Sequence, residues 1–144
     1  EAIRPWQHVL DPLYGYLLLA SRMFEEPGQY SEAWNFGPEL SSVKSVAEVT
    51  ELVINCWGEG LWKKYSDDND LYETSELRLD ITKAITLLHW KPKWSIEKSV
   101  RATVDWYKNY RQNDIYDFSS AHIFVYQKKQ NGKMVVTFLK LNIF

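Results

Sequence analysis

The chain's 144 residues are enough for one core and too few for two ordinary domains. A composition of 45% hydrophobic and 25% charged residues is that of a globular protein, and a net charge of -2 with a pI near 5.9 argues against a nucleic-acid or anionic-membrane binder. Cys56 is the only cysteine, which rules out an internal disulfide framework and fits a reducing, cytoplasmic setting, and the longest aliphatic run, Leu17-Leu18-Leu19-Ala20, is too short to cross a bilayer.

The N-terminus begins at Glu1 rather than Met with a strand-like approach already under way, so a cut end is expected. Asp11 followed by Pro12 reads as a helix start, with Asp as N-cap and Pro at the first helical position, where no N–H is needed. Leu13, Tyr16, Leu17, Ala20 and Phe24 recur at helical spacing, and Glu25-Glu26-Pro27-Gly28 closes the segment. Ala33 to Phe36, followed by Gly37-Pro38, reads as a short strand running into a loop.

Ser45 with Glu48 makes a capping box, and Val46, Val49, Leu52, Val53 and Cys56 form the stripe of the helix it opens, ended by Gly58 and Gly60. Leu61 to Tyr65 and Glu76 to Leu79 are expected to be short strands. The acidic run Ser66 to Asp70 between them lacks the Gly and distant Glu of a calcium loop and reads as a solvated turn. Helices are expected from Thr82 to His89, stopped by Trp90-Lys91-Pro92, and from Ser95 to about Tyr110, with Ile96, Val100, Thr103, Val104 and Tyr107 on one side. His89 reads as a capping or packing residue. Beyond Asp117 the only charges at neutral pH are lysines, and Gln130-Asn131-Gly132-Lys133 between Ile123–Tyr126 and Met134–Leu139 predicts a β-hairpin. Together these elements give an incomplete α/β arrangement of short strands and about four helices, with a C-terminal hairpin.

The chemistry starts from what the sequence lacks. Its glycines, at 15, 28, 37, 58, 60 and 132, form no G-x-G-x-x-G phosphate loop. No Tyr is followed four residues later by Lys, and the histidines at 8, 89 and 122 suggest no nucleophilic set. A binding signature remains. Arg4, entering a loop beside aromatics, suits a diphosphate, because its planar fork donates paired hydrogen bonds and stays charged; a surface Arg packed along Trp6 is the plainer alternative. Asn35 could offer its amide to a ligand or simply form the turn before Gly37-Pro38. Gln7 and His8 flank this block, and alternation would send only one of them toward a ligand.

Arg4-Pro-Trp-Gln-His-Val-Leu10, Gly15 to Ala20 and Ala33 to Pro38 resemble, in order, the C-terminal half of CDP-glucose 4,6-dehydratases. Leu77-Arg78-Leu79-Asp80 with Lys83-Ala84, Trp90 to Trp94, and Thr103 to Lys108 continue the resemblance to about residue 112. The resemblance implies the substrate-binding portion of an extended short-chain dehydrogenase, a Rossmann-type α/β fold. It divides the chain into 1–117, the nucleotide-sugar-binding part without its N-terminal Rossmann domain, and 118–144, a tail with no recognised counterpart. It also implies, for the intact form, bound NAD, conversion of CDP-glucose to CDP-4-keto-6-deoxyglucose plus water, and a homodimer; this chain alone would bind no NAD. Arg4 on the diphosphate, Asn35 near the nucleotide and Glu73 in a late closing loop are the substrate contacts it implies. At that loop Tyr72-Glu73-Thr74 stands where the family has His-Glu-Ala. Another sugar-nucleotide dehydratase or epimerase fragment, or a non-catalytic binding module or remnant, are the alternatives left open.

Overall fold

The computed structural model describes residues 2–64, 74–111 and 114–128. Two compact units, 1–104 and 105–144, divide inside one helix.

The first unit contains very short strands. β1 (Ile3–Arg4) pairs antiparallel with β2 (Lys44–Ser45), Ile3 opposite Ser45 and Arg4 opposite Lys44. On its other side Ile3 forms a parallel bridge with Glu76, donating its N–H to Ser75 O (2.9 Å) and accepting from Leu77 N–H (3.1 Å). The stretch expected as a strand over Glu76–Leu79 is therefore a single bridge. Pro5 explains why β1 stops: it brings no N–H, and Trp6 N–H turns back onto Arg4 O at 3.0 Å. The Trp6 indole carries the pairing one step further by donating Nε1–H to Lys44 O at 3.1 Å.

α1 (Leu10–Glu25) corrects the expected cap. Val9 holds the N-cap position with no side-chain bond, and His8 Nδ1 instead accepts from Leu10 N–H at 3.2 Å. Asp11 lies inside the first turn, fully buried, and its Oδ1 accepts from Lys93 N–H at 2.7 Å. Its carbonyl takes the Trp90 indole N–H at 3.2 Å, so Asp11 fastens α1 to the loop after the fourth helix rather than capping α1. The inner face of α1 sets Tyr14, Leu18 and Leu19 against a core of Tyr30, Phe36, Ile81, Ala84, Leu88 and Trp90. Most of the periodic residues that announced the helix face away from that core: Leu13 is exposed, Leu17 is 56% exposed and Phe24 90%, while Tyr16, also exposed, meets the Phe36 ring edge-on.

Pro27 starts a further short turn, α2 (Pro27–Tyr30), where the sequence predicted only an ending. Ala33 to Phe36 is not a strand. Two of its carbonyls accept from side chains instead of from a ladder: Lys83 Nζ donates to Ala33 O (3.1 Å) and Gln7 Nε2 to Phe36 O (2.8 Å). Residues 61–64 are likewise irregular, with Leu61 fully exposed, while Tyr65 and the acidic run after it lie outside the described residues.

α3 (Val46–Trp57) follows β2 directly and has the expected capping box, Glu48 N–H on Ser45 Oγ and Ser45 N–H on Glu48 Oε2. Gly58, at φ 100°, supplies the left-handed residue that ends it. α4 (Thr82–Leu87) ends through His89 at φ 54°, after which Trp90 N–H closes on Ala84 O at 3.0 Å. α5 (Ile96–Asn109) packs Ile96, Val100 and Val104 against Val49 of α3, with Trp6, Leu52 and Cys56 around them, making a second core.

In the second unit, Asp114 caps α6 (Ile115–Gln127) by accepting from Tyr116 N–H (2.9 Å) and Asp117 N–H (3.4 Å). Trp106 donates its indole N–H to Ser119 Oγ at 3.0 Å and stacks on Tyr110 at 5.2 Å. α6 overturns the first arm of the expected hairpin: Ile123 to Tyr126 are helical. A short apolar run has the same pattern in either state, and here the Asp cap and a stretch free of Gly and Pro decide for helix. The Gln130–Lys133 turn and Met134–Leu139 lie outside the described residues. Mixed helices around a small sheet are compatible with an α/β fragment.

Candidate functional site

The segment from Arg4 to His8 runs between two others in the first unit. Toward residues 74–77 it is bridged through Ile3, and the Arg4 guanidinium donates Nη1–H to Ile3 O (2.8 Å) and to Thr74 O (3.1 Å). Arg4 thus closes against the residue that follows Glu73; Glu73 itself lies outside the described residues. Toward residues 33–38 the same segment is held by Gln7, whose amide donates to Phe36 O.

Asn35 is exposed, and its Nδ2 donates to Asp80 O at 3.3 Å. Around it sits a small charged group. Lys83 reaches Glu32 by an ion pair and lies 4.5 Å above the Trp34 ring. The Lys83 hydrogen bond, reinforced by its charge, holds the Glu32 carboxyl below its ordinary range. Asp80 is held down too, by the backbone and side chain of Thr82, and its Oδ1 accepts from Thr82 N–H at 2.8 Å. Glu32 and Asp80 therefore stay ionised at neutral pH. Both shifts favour the charged carboxylate and add negative charge to this surface.

His8 is buried, its ring 4.6 Å from that of Trp94, so its polar atoms serve the fold. Gln7 is the more informative neighbour. With Nε2 on Phe36 O, its Oε1 is buried and has no hydrogen-bond partner among the described residues. Sequence pattern singled out Arg4 and Asn35 but gave no sign that Gln7 joins their segments, because the bond spans 29 positions and ends on a backbone carbonyl. An open cleft of about 380 Å³ is lined by Glu51, Ile54, Asn55, Gly60, Leu61 and Trp62. It contains neither Arg4 nor Asn35, and its walls are mostly exposed side chains without convergent cationic groups. Among the described residues no three His, Cys, Asp or Glu side chains converge as a metal site, and no helix is long and apolar enough to cross a membrane.

No protein-family model matches the chain. A CDP-glucose 4,6-dehydratase of Salmonella typhimurium is 37% identical to it over 107 residues, 74% of this chain. The match is consistent with a C-terminal fragment of that dehydratase. The chain spans 30% of that relative's length. The coarser expectation, a fragment related to sugar-nucleotide dehydratases or epimerases, is therefore supported by this relative as well as by motifs.

Proposed function

We propose that this chain is the substrate-gripping part of a CDP-glucose 4,6-dehydratase, with Arg4 on the diphosphate, Asn35 near the nucleotide and Glu73 in the closing loop. The intact form would convert CDP-glucose to CDP-4-keto-6-deoxyglucose plus water, with NAD supplying hydride chemistry and a homodimer as its assembly. The observation that carries the reading is the 37% identity over 107 residues of the chain.

The residues of this chain do not fit NAD. Its glycines form no phosphate loop, and no Tyr-x-x-x-Lys pair is present in it. What this chain's residues can do is bind and orient. An Arg fixed by backbone carbonyls at its Nη1 is partly ordered before ligand arrives, which lowers the entropy lost on binding.

Titration calorimetry of the chain with CDP-glucose and with CDP tests the reading. Arg4→Ala removes a charge-assisted partner of the diphosphate and should cost about 1.5–3 kcal/mol, or roughly 10- to 100-fold in Kd. Arg4→Lys keeps the charge but loses the planar fork and should fall between. Equal affinity of wild type and Arg4→Ala would remove Arg4 from the site, and no binding of CDP-glucose by the wild type would remove the site altogether.

A further inference from the structure

Gln7 presents an arrangement that stability alone does not favour. Its Nε2 donates to Phe36 O at 2.8 Å, while its Oε1 is buried without a partner among the described residues. A buried acceptor left unpaired is a cost, and such groups in a native fold call for a reason. An apolar side chain of similar volume would fill the same space without an orphaned acceptor, although it would also leave the Phe36 carbonyl without this donor. The two penalties are of the same kind and roughly cancel. The amide thus adds little net stability, yet it creates one specific connection between two segments that share no backbone ladder with each other.

That connection joins the segment bearing Arg4 to the segment bearing Asn35. Arg4 is fixed by β1 and by Thr74 O; Asn35 is fixed to Asp80 O, and its neighbour Phe36 is wedged edge-on against Trp90 at 4.9 Å. Each candidate ligand group is therefore set within its own neighbourhood. Of the hydrogen bonds described, the Gln7 amide is the one that ties the 4–8 segment directly to 33–38. We propose that Gln7 is a positioning residue, a tether that sets the spacing between Arg4 and Asn35 and so fixes the reach of the site along a nucleoside diphosphate. This rests on the ligand reading given above and deepens it: Gln7 need not touch the ligand, and it acts through the two residues that do.

Gln7→Met keeps length and volume and deletes both the donor and the orphaned acceptor; Gln7→Leu is the second variant if Met packs poorly. Backbone amide NMR relaxation without ligand reads the tether directly. Order parameters of residues 34–37 should fall from a rigid level of about 0.85 toward about 0.6 in the variant, at a melting temperature within about 3 °C of wild type. Unchanged order parameters there overturn the tether, as does a large fall in melting temperature with order lost throughout the unit, which would make Gln7 an ordinary stabilising residue. Calorimetry then reads its purpose. CDP-glucose should bind about tenfold more weakly to Gln7→Met, and Asn35→Ala should add little further loss in that background, because a misplaced Asn35 has already been lost. Equal affinity of Gln7→Met and wild type, or full additivity with Asn35→Ala, overturns the positioning role. Wild type that fails to bind CDP-glucose while Gln7→Met loosens 34–37 sinks the ligand reading and leaves the tether standing.

Discussion

Gly15 is the point where α1 meets the first core, and replacing it with Ala sets two effects of opposite sign against each other. In a helix interior, Ala is favoured over Gly by about 1 kcal/mol, so propensity alone predicts a more stable protein. Packing predicts the reverse. A Cβ built at Gly15 would stand 2.4 Å from Phe36 Cδ1 and 2.6 Å from Cε1. Carbon atoms rest about 3.5–4.0 Å apart, so the ring would have to withdraw by about 1 Å. It has little room: Phe36 is buried between Trp90 and Tyr16, edge-on to both at 4.9 and 5.4 Å. Overpacking of this kind costs about 1–3 kcal/mol, and a displaced rigid ring belongs at the upper end. The expected balance for Gly15→Ala is a net loss of about 2 kcal/mol. Urea unfolding followed by tryptophan fluorescence measures it, with Gly28→Ala as the control. Gly28 stands in α2 with nothing within 4 Å of a built Cβ, so there the entropy effect acts alone and should stabilise by about 0.5 kcal/mol. A Gly15→Ala protein as stable as wild type would refute the close approach of α1 to Phe36, and with it the placement of the 33–38 segment.

His89, a non-glycine residue at φ 54°, should give a protein about 1 kcal/mol more stable as His89→Gly, read by the same unfolding assay. Ser99 Oγ is buried beside Ile96 and Val100 with no hydrogen-bond partner among the described residues, so Ser99→Ala should stabilise by about 1 kcal/mol; a loss would reveal a bond to that hydroxyl. The Glu48 carboxyl is held below its ordinary range, first by the Ser45 backbone N–H and then by the Ser45 hydroxyl. A depressed carboxylate contributes stability above its unfolded pKa and loses it as pH falls through the folded value, so Glu48→Gln should flatten the stability profile below about pH 4.5 and leave its shape unchanged near neutrality. The exposed stripe Leu13, Tyr16, Leu17 and Phe24 should bind a hydrophobic dye, and Leu17→Glu with Phe24→Glu should remove most of that signal.

Where local rules set the structure, the sequence was readable. The Ser45–Glu48 box, the Gly58 stop and the Ile96–Val100–Val104 stripe each depend on residues within one or two turns of one another. Misreadings fall where a distant partner decides. Asp11-Pro12 has the form of a cap, but the carboxylate is captured by Lys93 N–H, 82 positions away. Ala33–Phe36 has strand composition, yet the partners of its Ala33 and Phe36 carbonyls are the Lys83 and Gln7 side chains rather than a neighbouring strand. Ile123–Tyr126 would suit a strand as well as a helix, and the Asp114 cap settles the choice. The site shows the same division. Arg4 and Asn35 stand out through residue type and through resemblance to a known enzyme, whereas Gln7 becomes visible only through a contact that pattern does not encode.

Phe36 connects these observations. Its carbonyl receives the Gln7 amide, its ring fills the space left by the missing side chain of Gly15, and it precedes Gly37 in a segment that has no ladder of its own. A residue that is buried and held on several sides transmits displacement instead of absorbing it, because a close-packed core has few voids to take up the change. A larger residue at 15 should therefore move Asn35 as well as lower stability. If CDP-glucose binds as proposed, Gly15→Ala should weaken it by more than the population of unfolded chain explains. Measured at a temperature where the variant is still more than nine-tenths folded (on the order of 1.4 kcal/mol or more of residual stability), any loss of affinity beyond about a tenth is displacement of the site rather than unfolding. An unchanged Kd under those conditions would mean that Asn35 is positioned independently of the Phe36 ring.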